Sequence, residues 1–135
     1  MKAIIHRQCD NKLILSSKKL FYYEFDKSFN PNLSDDKQIL SLEYSDKLME
    51  FYSAAGRSVK CWDAIKGIVI RHYKNLSDRN LTSMVLDHNQ RKLFLGCYNG
   101  DIICIDALTG FKIRVYSDKE AKKEIAFIRY NVKYK

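Results

Sequence analysis

Four cysteines and three histidines are the side chains with which this chain could hold a metal or attack a substrate: Cys9, Cys61, Cys97 and Cys104, with His6, His72 and His88. A structural zinc site draws two ligands from one short segment, so that a single loop fixes half of the tetrahedron. No Cys-x-x-Cys or His-x-x-x-His spacing occurs here. A nucleophilic cysteine needs a base beside it, and no partner is signalled for any of the four. Cys61 in "SVKCWD" and Cys104 in "IICID" occupy equivalent, largely apolar contexts, the setting of a buried packing residue. The acids at 34–36 ("SDD") belong to a polar linker, and the five glycines form no phosphate-cradling loop. These residues predict no catalytic site, no metal and no cofactor.

The elements that carry the cysteines repeat. "GRSVKCWDAIKG" (56–67) lines up with "NGDIICIDALTG" (99–110) at an offset of 43. Cys61 meets Cys104, Asp63 meets Asp106, and Gly67 meets Gly110. Upstream, "ILSLEYS" from Ile39 lines up with "LTSMVLD" from Leu81 at an offset of 42. A fainter first copy, "KLILSSKKLFYYEFD", places Phe25-Asp26 where the others have Trp62-Asp63 and Ile105-Asp106, and a fourth begins at "EIAFIRY". A period near 42 lies within the range of propeller repeats.

Each copy reads as four short strands. The second predicts strands at 39–44, 48–54, 58–63 and 67–72, the third at 81–86, 92–97, 101–106 and 110–116. Turn signals separate them. Asn99-Gly100 is the strongest, since Asn-Gly supplies the positive φ angles of a tight hairpin. Asp63 and Asp106 each end a strand and open a turn that Gly67 or Gly110 closes. The third strand of each copy, as in "DIICI", reads as apolar on both faces and must be covered on both. Radially stacked sheets provide that. No helix is expected beyond one turn within "SDKEAKKEIAFI".

"GRSVKCWDAIKG" resembles the third strand of a WD-repeat, and the third copy keeps its frame with Ile105 in place of Trp62. The resemblance spans nearly the whole chain, most strongly 38–118. It implies an all-β partial propeller of four-stranded antiparallel blades. The divisions are 1–37 (a degenerate blade), 38–80 and 81–123 (two full blades), and 124–135 (the first strand of a fourth). The Gly-His dipeptide that usually precedes the first strand is absent. Neither Phe25 nor Ile105 can donate the hydrogen bond of an indole N–H, which puts the family's buried Trp-His-Asp network in doubt for at least two blades. "NGDIICIDALTG" also resembles the repeats of quinoprotein-like propellers, an alternative of the same architecture. Within the WD families, "LDHNQRKLFLGCYNG" is similar to large multi-propeller proteins found with cilia and flagella. The resemblance implies a rigid, non-catalytic scaffold for other proteins.

Composition sets the rest. The 135 residues, 46% hydrophobic and 30% charged, suit one domain. The net charge of +8 is spread along the chain, which suits an acidic protein surface, with nucleic acid as the alternative partner. The start is too short in apolar residues for a secretory signal, and no apolar run spans a membrane. The expectation is therefore an intracellular, cytoplasmic protein with reduced thiols, placed at a cilium or axoneme by the narrower resemblance. An up-and-down blade puts the turn between its second and third strands on the same side as the link to the next blade. That gathers Lys18, Lys19, Arg57, Arg79, Lys122 and Lys123 as candidate partner-binding residues. Three blades cannot surround an axis. Further blades in the same chain, or self-association, are expected to complete the ring.

Overall fold

A computed structural model describes residues 38–117 and 123–132, together with the strand backbones at 3–7, 12–16 and 20–24. Phe25 and Asp26 of the faint first copy lie outside the described residues. The described chain is all β. Three strands, β1 (Ala3–Arg7), β2 (Lys12–Ser16) and β3 (Leu20–Glu24), form an antiparallel sheet in the order β1-β2-β3. The second sheet runs β4 (Ile39–Ser45), β5 (Glu50–Ala55), β6 (Ser58–Asp63) and β7 (Val69–Tyr73). The third runs β8 (Leu81–Leu86), β9 (Lys92–Cys97), β10 (Ile102–Asp106) and β11 (Lys112–Tyr116). Among the described residues there is no helix, hence none long and apolar enough to cross a membrane.

The second and third sheets are copies down to their irregularities. The β4–β5 register shifts between Ile39 and Ser41, and the β8–β9 register at the corresponding Leu81 and Ser83. The outer pairs shift between Cys61 and Trp62, and between Cys104 and Ile105. The turns also match. The Asp63 carboxylate accepts N–H bonds from Ile65 and Lys66 at 2.8 Å, and Asp106 accepts them from Leu108 and Thr109. Gly67 and Gly110 then donate to the carbonyls of Asp63 and Asp106, each at 2.8 Å. A short side chain that bonds the backbone just ahead is why Asp opens these turns. It is also why β7 and β11 start two residues later than the pattern predicts: the turns extend through Gly67 and Gly110 before pairing resumes.

The Asn99-Gly100 hairpin differs from expectation. Only Gly100 has positive φ, 88°, and its N–H donates to the Cys97 carbonyl. This is a three-residue loop ending in a left-handed glycine. The side chain of Asn99 donates to Asp101 at 2.7 Å and stays in the right-handed half of the map.

The main core lies between the second and third sheets. Tyr52, Val59, Cys61 and Leu76 meet Leu81, Leu93, Leu95 and Ile105 there, and Leu81, Leu93, Leu95 and Ile105 are fully buried. Each such aliphatic side chain contributes roughly 1.5–3 kcal/mol. A second cluster, centred on Phe51, Trp62 and Ala64, occupies the other face of the second sheet, whose β4 lies beside β1. Phe51 and Trp62 face each other across β5–β6 and stack with centroids 5.6 Å apart. The Trp62 indole N–H donates to Ser53 Oγ at 2.8 Å. In the third sheet Leu93 faces Ile105 and Leu95 stands at the place of Ser53, so the polar pair is replaced by apolar packing. Ile103, Cys104 and Ile105 are buried in succession, so both faces of β10 are covered.

The expected strand of a fourth copy has no ladder. Residues 123–132 are irregular because no neighbour among the described residues offers them a continuous row of backbone partners. They are held through Ile125 and by the stacking of Tyr130 on Phe94. Ile125 N–H donates to the Cys97 carbonyl at 3.2 Å, and Thr82 and Ser83 hydroxyls donate to the Ile125 carbonyl. Ile125 packs over Gly96, where a Cβ would come within 2.7 Å of its Cγ2.

Gly110 seats the third sheet on the second. Its φ is +72°, and a Cβ there would lie 2.7 Å from ring carbons of Tyr73. Gly110→Ala combines left-handed strain with overpacking and is expected to cost about 3 kcal/mol in urea unfolding. Adding Tyr73→Leu should recover part of that loss. A cost below about 1 kcal/mol, or strict additivity, would show that the turn is not seated on the ring.

Candidate partner-binding face and the buried polar network

Loops at the two ends of the sheets behave differently. At one end are the turns 45–49 and 87–91, together with the Asp63 and Asp106 turns. Here the side chains are tied to one another. Gln90, held at φ 59°, reaches from the third unit to the second. Its Oε1 accepts from Ser45 Oγ at 2.7 Å and from Lys47 N–H at 3.1 Å, and its Nε2 donates to Asp46. That last bond holds the Asp46 carboxyl below its usual value. Asp87 caps the same turn by accepting from Arg91 and Lys92 N–H.

At the other end the ties between units are made by the main chain, and the side-chain bonds of Ser77 and Asn99 stay within their own loops. Leu76 N–H donates to the Arg57 carbonyl, Leu81 N–H to Gly56 and Tyr98 N–H to Asn80. These bonds lash the 74–80 connector to the hairpin loops of both sheets. Around them Arg57, Asp78, Arg79, Asn80 and Tyr98 line an open depression of about 400 Å³. Arg57 and Arg79 are exposed, and neither guanidinium makes an ion pair or hydrogen bond among the described residues. Tyr98 is 61% exposed. Of the six predicted basic residues, the structure brings Arg57 and Arg79 to one depression. Lys123 is exposed on the segment after β11. Lys18, Lys19 and Lys122 lie outside the described residues. Tyr98 was missed by sequence reasoning because "GCYNG" reads as a strand end and a turn.

A polar network, also missed, sits on the face of the second sheet that meets the third. Glu50 Oε2 accepts from Tyr52 OH at 3.0 Å, from the Cys61 thiol at 3.3 Å and from the Arg71 guanidinium. Arg71 Nε donates to the Tyr73 hydroxyl at 2.9 Å, which leaves the Tyr73 proton to reach the Ala107 carbonyl at 2.8 Å. The signal was present in the sequence: "IRHY" at 70–73 recurs as "IRVY" at 113–116. Burial and the neighbouring Glu50 carboxylate push the Cys61 thiol up to about 12, and burial also raises Cys97 and Cys104. A thiolate is the reactive form, and burial disfavours it at all three cysteines. Among the described residues no three His, Cys, Asp or Glu side chains gather as metal ligands.

The strands β4 and β8 run side by side, and with residues 127–132 they enclose a groove of about 560 Å³. Glu43 faces it beside His88, Arg129 and Tyr130. Burial lifts the Glu43 carboxyl from 4.5 to about 7, against a smaller pull from a hydrogen bond with the Leu86 main chain.

No family model matches the chain. It is similar, at 25% identity over 111 residues, to cilia- and flagella-associated protein 337 B of Tetrahymena thermophila. The match covers 82% of this chain and 9% of that protein, so the chain spans under a tenth of the relative's length.

Two measurements check this chemistry. With an Ellman-type reagent near neutral pH, Cys61, Cys97 and Cys104 are expected to react only at the rate of unfolding. One of them reacting at the speed of a free thiol would contradict their assignment as packing residues. For Glu43 the folded state holds a proton, between pH 4.5 and about 7, that the unfolded chain releases. Its contribution therefore declines as pH rises through that window and is least above it. Glu43→Gln should match the wild type at pH 4.5 and exceed its stability at pH 8. An equal difference at both pH values would show that the Glu43 carboxyl titrates alike in the folded and unfolded chain.

Proposed function

We propose that this chain is part of a WD-repeat β-propeller, with the two four-stranded sheets as successive blades. We read it as a non-catalytic scaffold that binds another protein and works at a cilium or flagellum. The repeat of turns, bulges and strand order at a period near 42 supports the propeller reading. The similarity to a cilia- and flagella-associated protein supports the place of action.

The observation that carries the binding role is the contrast between the two ends. At one end, side chains are spent on stitching the units together. At the other, the side chains of Arg57, Arg79 and Tyr98 line a depression on a tied main chain and make no ion pair or hydrogen bond among the described residues. Binding residues are commonly loop residues held by a rigid scaffold, and Arg and Tyr are the side chains favoured at protein interfaces. Two unpaired guanidiniums fit an acidic protein segment. Asp78 in the same lining limits the positive field and gives the site a preferred orientation of its partner.

The test is a comparison of two charge-reversed forms in capture from axonemal extract. Arg57→Glu with Arg79→Glu is expected to lose the partner by more than about tenfold, roughly 1.4 kcal/mol, while the melting temperature stays within about 2 °C. Lys47→Glu with Lys66→Glu, on the stitched end, should retain it. Loss with the second pair and retention with the first would place the partner on the opposite face.

A further inference from the structure

The second sheet ends in a lock that the third sheet repeats in part and that, among the described residues, no turn closes there. The lock is the row Glu50, Tyr52, Cys61, Arg71 and Tyr73, closed by the turn 106–110 of the next unit. Tyr73 donates to the Ala107 carbonyl, and its ring occupies the space that Gly110 leaves open. Offsets of 42 and 43 carry that row onto Lys92, Phe94, Cys104, Arg114 and Tyr116. The pairing carries over too. Cys61 faces Arg71 across β6–β7, and Cys104 faces Arg114 across β10–β11.

What differs is cover. Tyr73 is 9% exposed and Tyr116 is 45% exposed. In the second sheet Arg71 is oriented by Glu50 and by the Tyr73 hydroxyl. In the third, Lys92 stands in place of Glu50, and the Arg114 guanidinium lies over the Tyr116 ring at 5.0 Å instead. The inner half of this face is already covered by the chain itself. Phe94 stacks on Tyr130 at 6.2 Å, and Ile125 packs over Gly96. Ile125 also donates to Cys97 at the head of a hairpin loop, much as Leu81 does to Gly56 where the third unit begins. Residues 123–132 therefore enter the face as the lead-in of the preceding unit does.

We propose that Arg114 and Tyr116 form a socket for the turn of one further unit of the same repeat, joined in line through residues 123–132. The chemistry of the occupant follows from the lock. It is an Asp-Ala-x-x-Gly turn that offers a main-chain carbonyl to the Tyr116 hydroxyl and has no Cβ at its last position. The proposal rests on the repeat and not on the binding face at Arg57 and Arg79, so either can fail alone.

The experiment adds that unit. In a chimera, residues 131–135 are replaced by a second copy of residues 87–117. Hydrogen exchange of the 112–116 amides is expected to slow by more than about tenfold relative to the 135-residue chain. Changing the appended copy's equivalent of Gly110 to Val should abolish the gain. In the parent chain, Tyr116→Ala should move the melting temperature by less than about 1 °C, whereas Tyr73→Ala should lower it by several degrees. The parent arm stands even where the chimera aggregates. Unchanged exchange in a folded chimera overturns the proposal. So does a parent chain destabilised equally by both substitutions, or one that buries Tyr116 by dimerising.

Discussion

The hydroxyl of Tyr73 reaches the Ala107 carbonyl because Gly110 has nothing in the way. The contact is small, yet both sides of it are prepared in advance. On one side Asp106 and Gly110 shape the turn. On the other, Glu50 fixes Arg71 and Arg71 occupies the hydroxyl oxygen of Tyr73, so its proton is turned toward the Ala107 and Leu108 carbonyls of the turn. A buried chain of this kind holds its geometry while every member is satisfied, and it becomes costly when one partner is removed. The apolar core between the sheets supplies most of the attraction. This chain decides in which register they meet.

The two ends of the sheets divide their labour accordingly. Gln90 bridges units with its side chain and so fixes spacing on one end. On the other end, backbone bonds from Leu76 and Leu81 do the fixing, which releases the side chains of Arg57, Arg79 and Tyr98 for other uses. Loop side chains carried on a rigid main chain would lower the ordering cost of any binding there, and that rigidity comes from main-chain bonds between the connector and the hairpin loops.

Much of the architecture was legible because two signals of different origin agreed. Apolar spacing marked strands such as 58–63, 81–86 and 92–97, and the Asp and Gly of each turn marked where they stop. The errors have local causes. β5 begins at Glu50 instead of 48 because Ser45 caps Leu48 and Met49 takes φ 52°. The Glu50–Arg71–Tyr73 chain escaped notice because charged and aromatic residues on an outer strand look like a solvent face. Only their recurrence at Arg114 and Tyr116 distinguishes them from one. Topology placed Arg57 and Arg79 at one end of the sheets, where both line the depression, whereas Tyr98 beside them went uncounted because "YNG" reads only as a turn.

The connector from β7 to β8 has a mechanical meaning. It leaves the outer edge of one sheet and enters the opposite edge of the next, so tension along the backbone does not pull evenly on all strands. It pulls on β7 at its Tyr73 end, which pairs with Val59 at the start of β6. The connector is itself held by the bonds from Leu76 to Arg57 and from Leu81 to Gly56, and Tyr73 by the Ala107 carbonyl. A pull along the backbone therefore meets these few bonds before it reaches the β6–β7 ladder, and the contact between β4 and β8 lies beyond both.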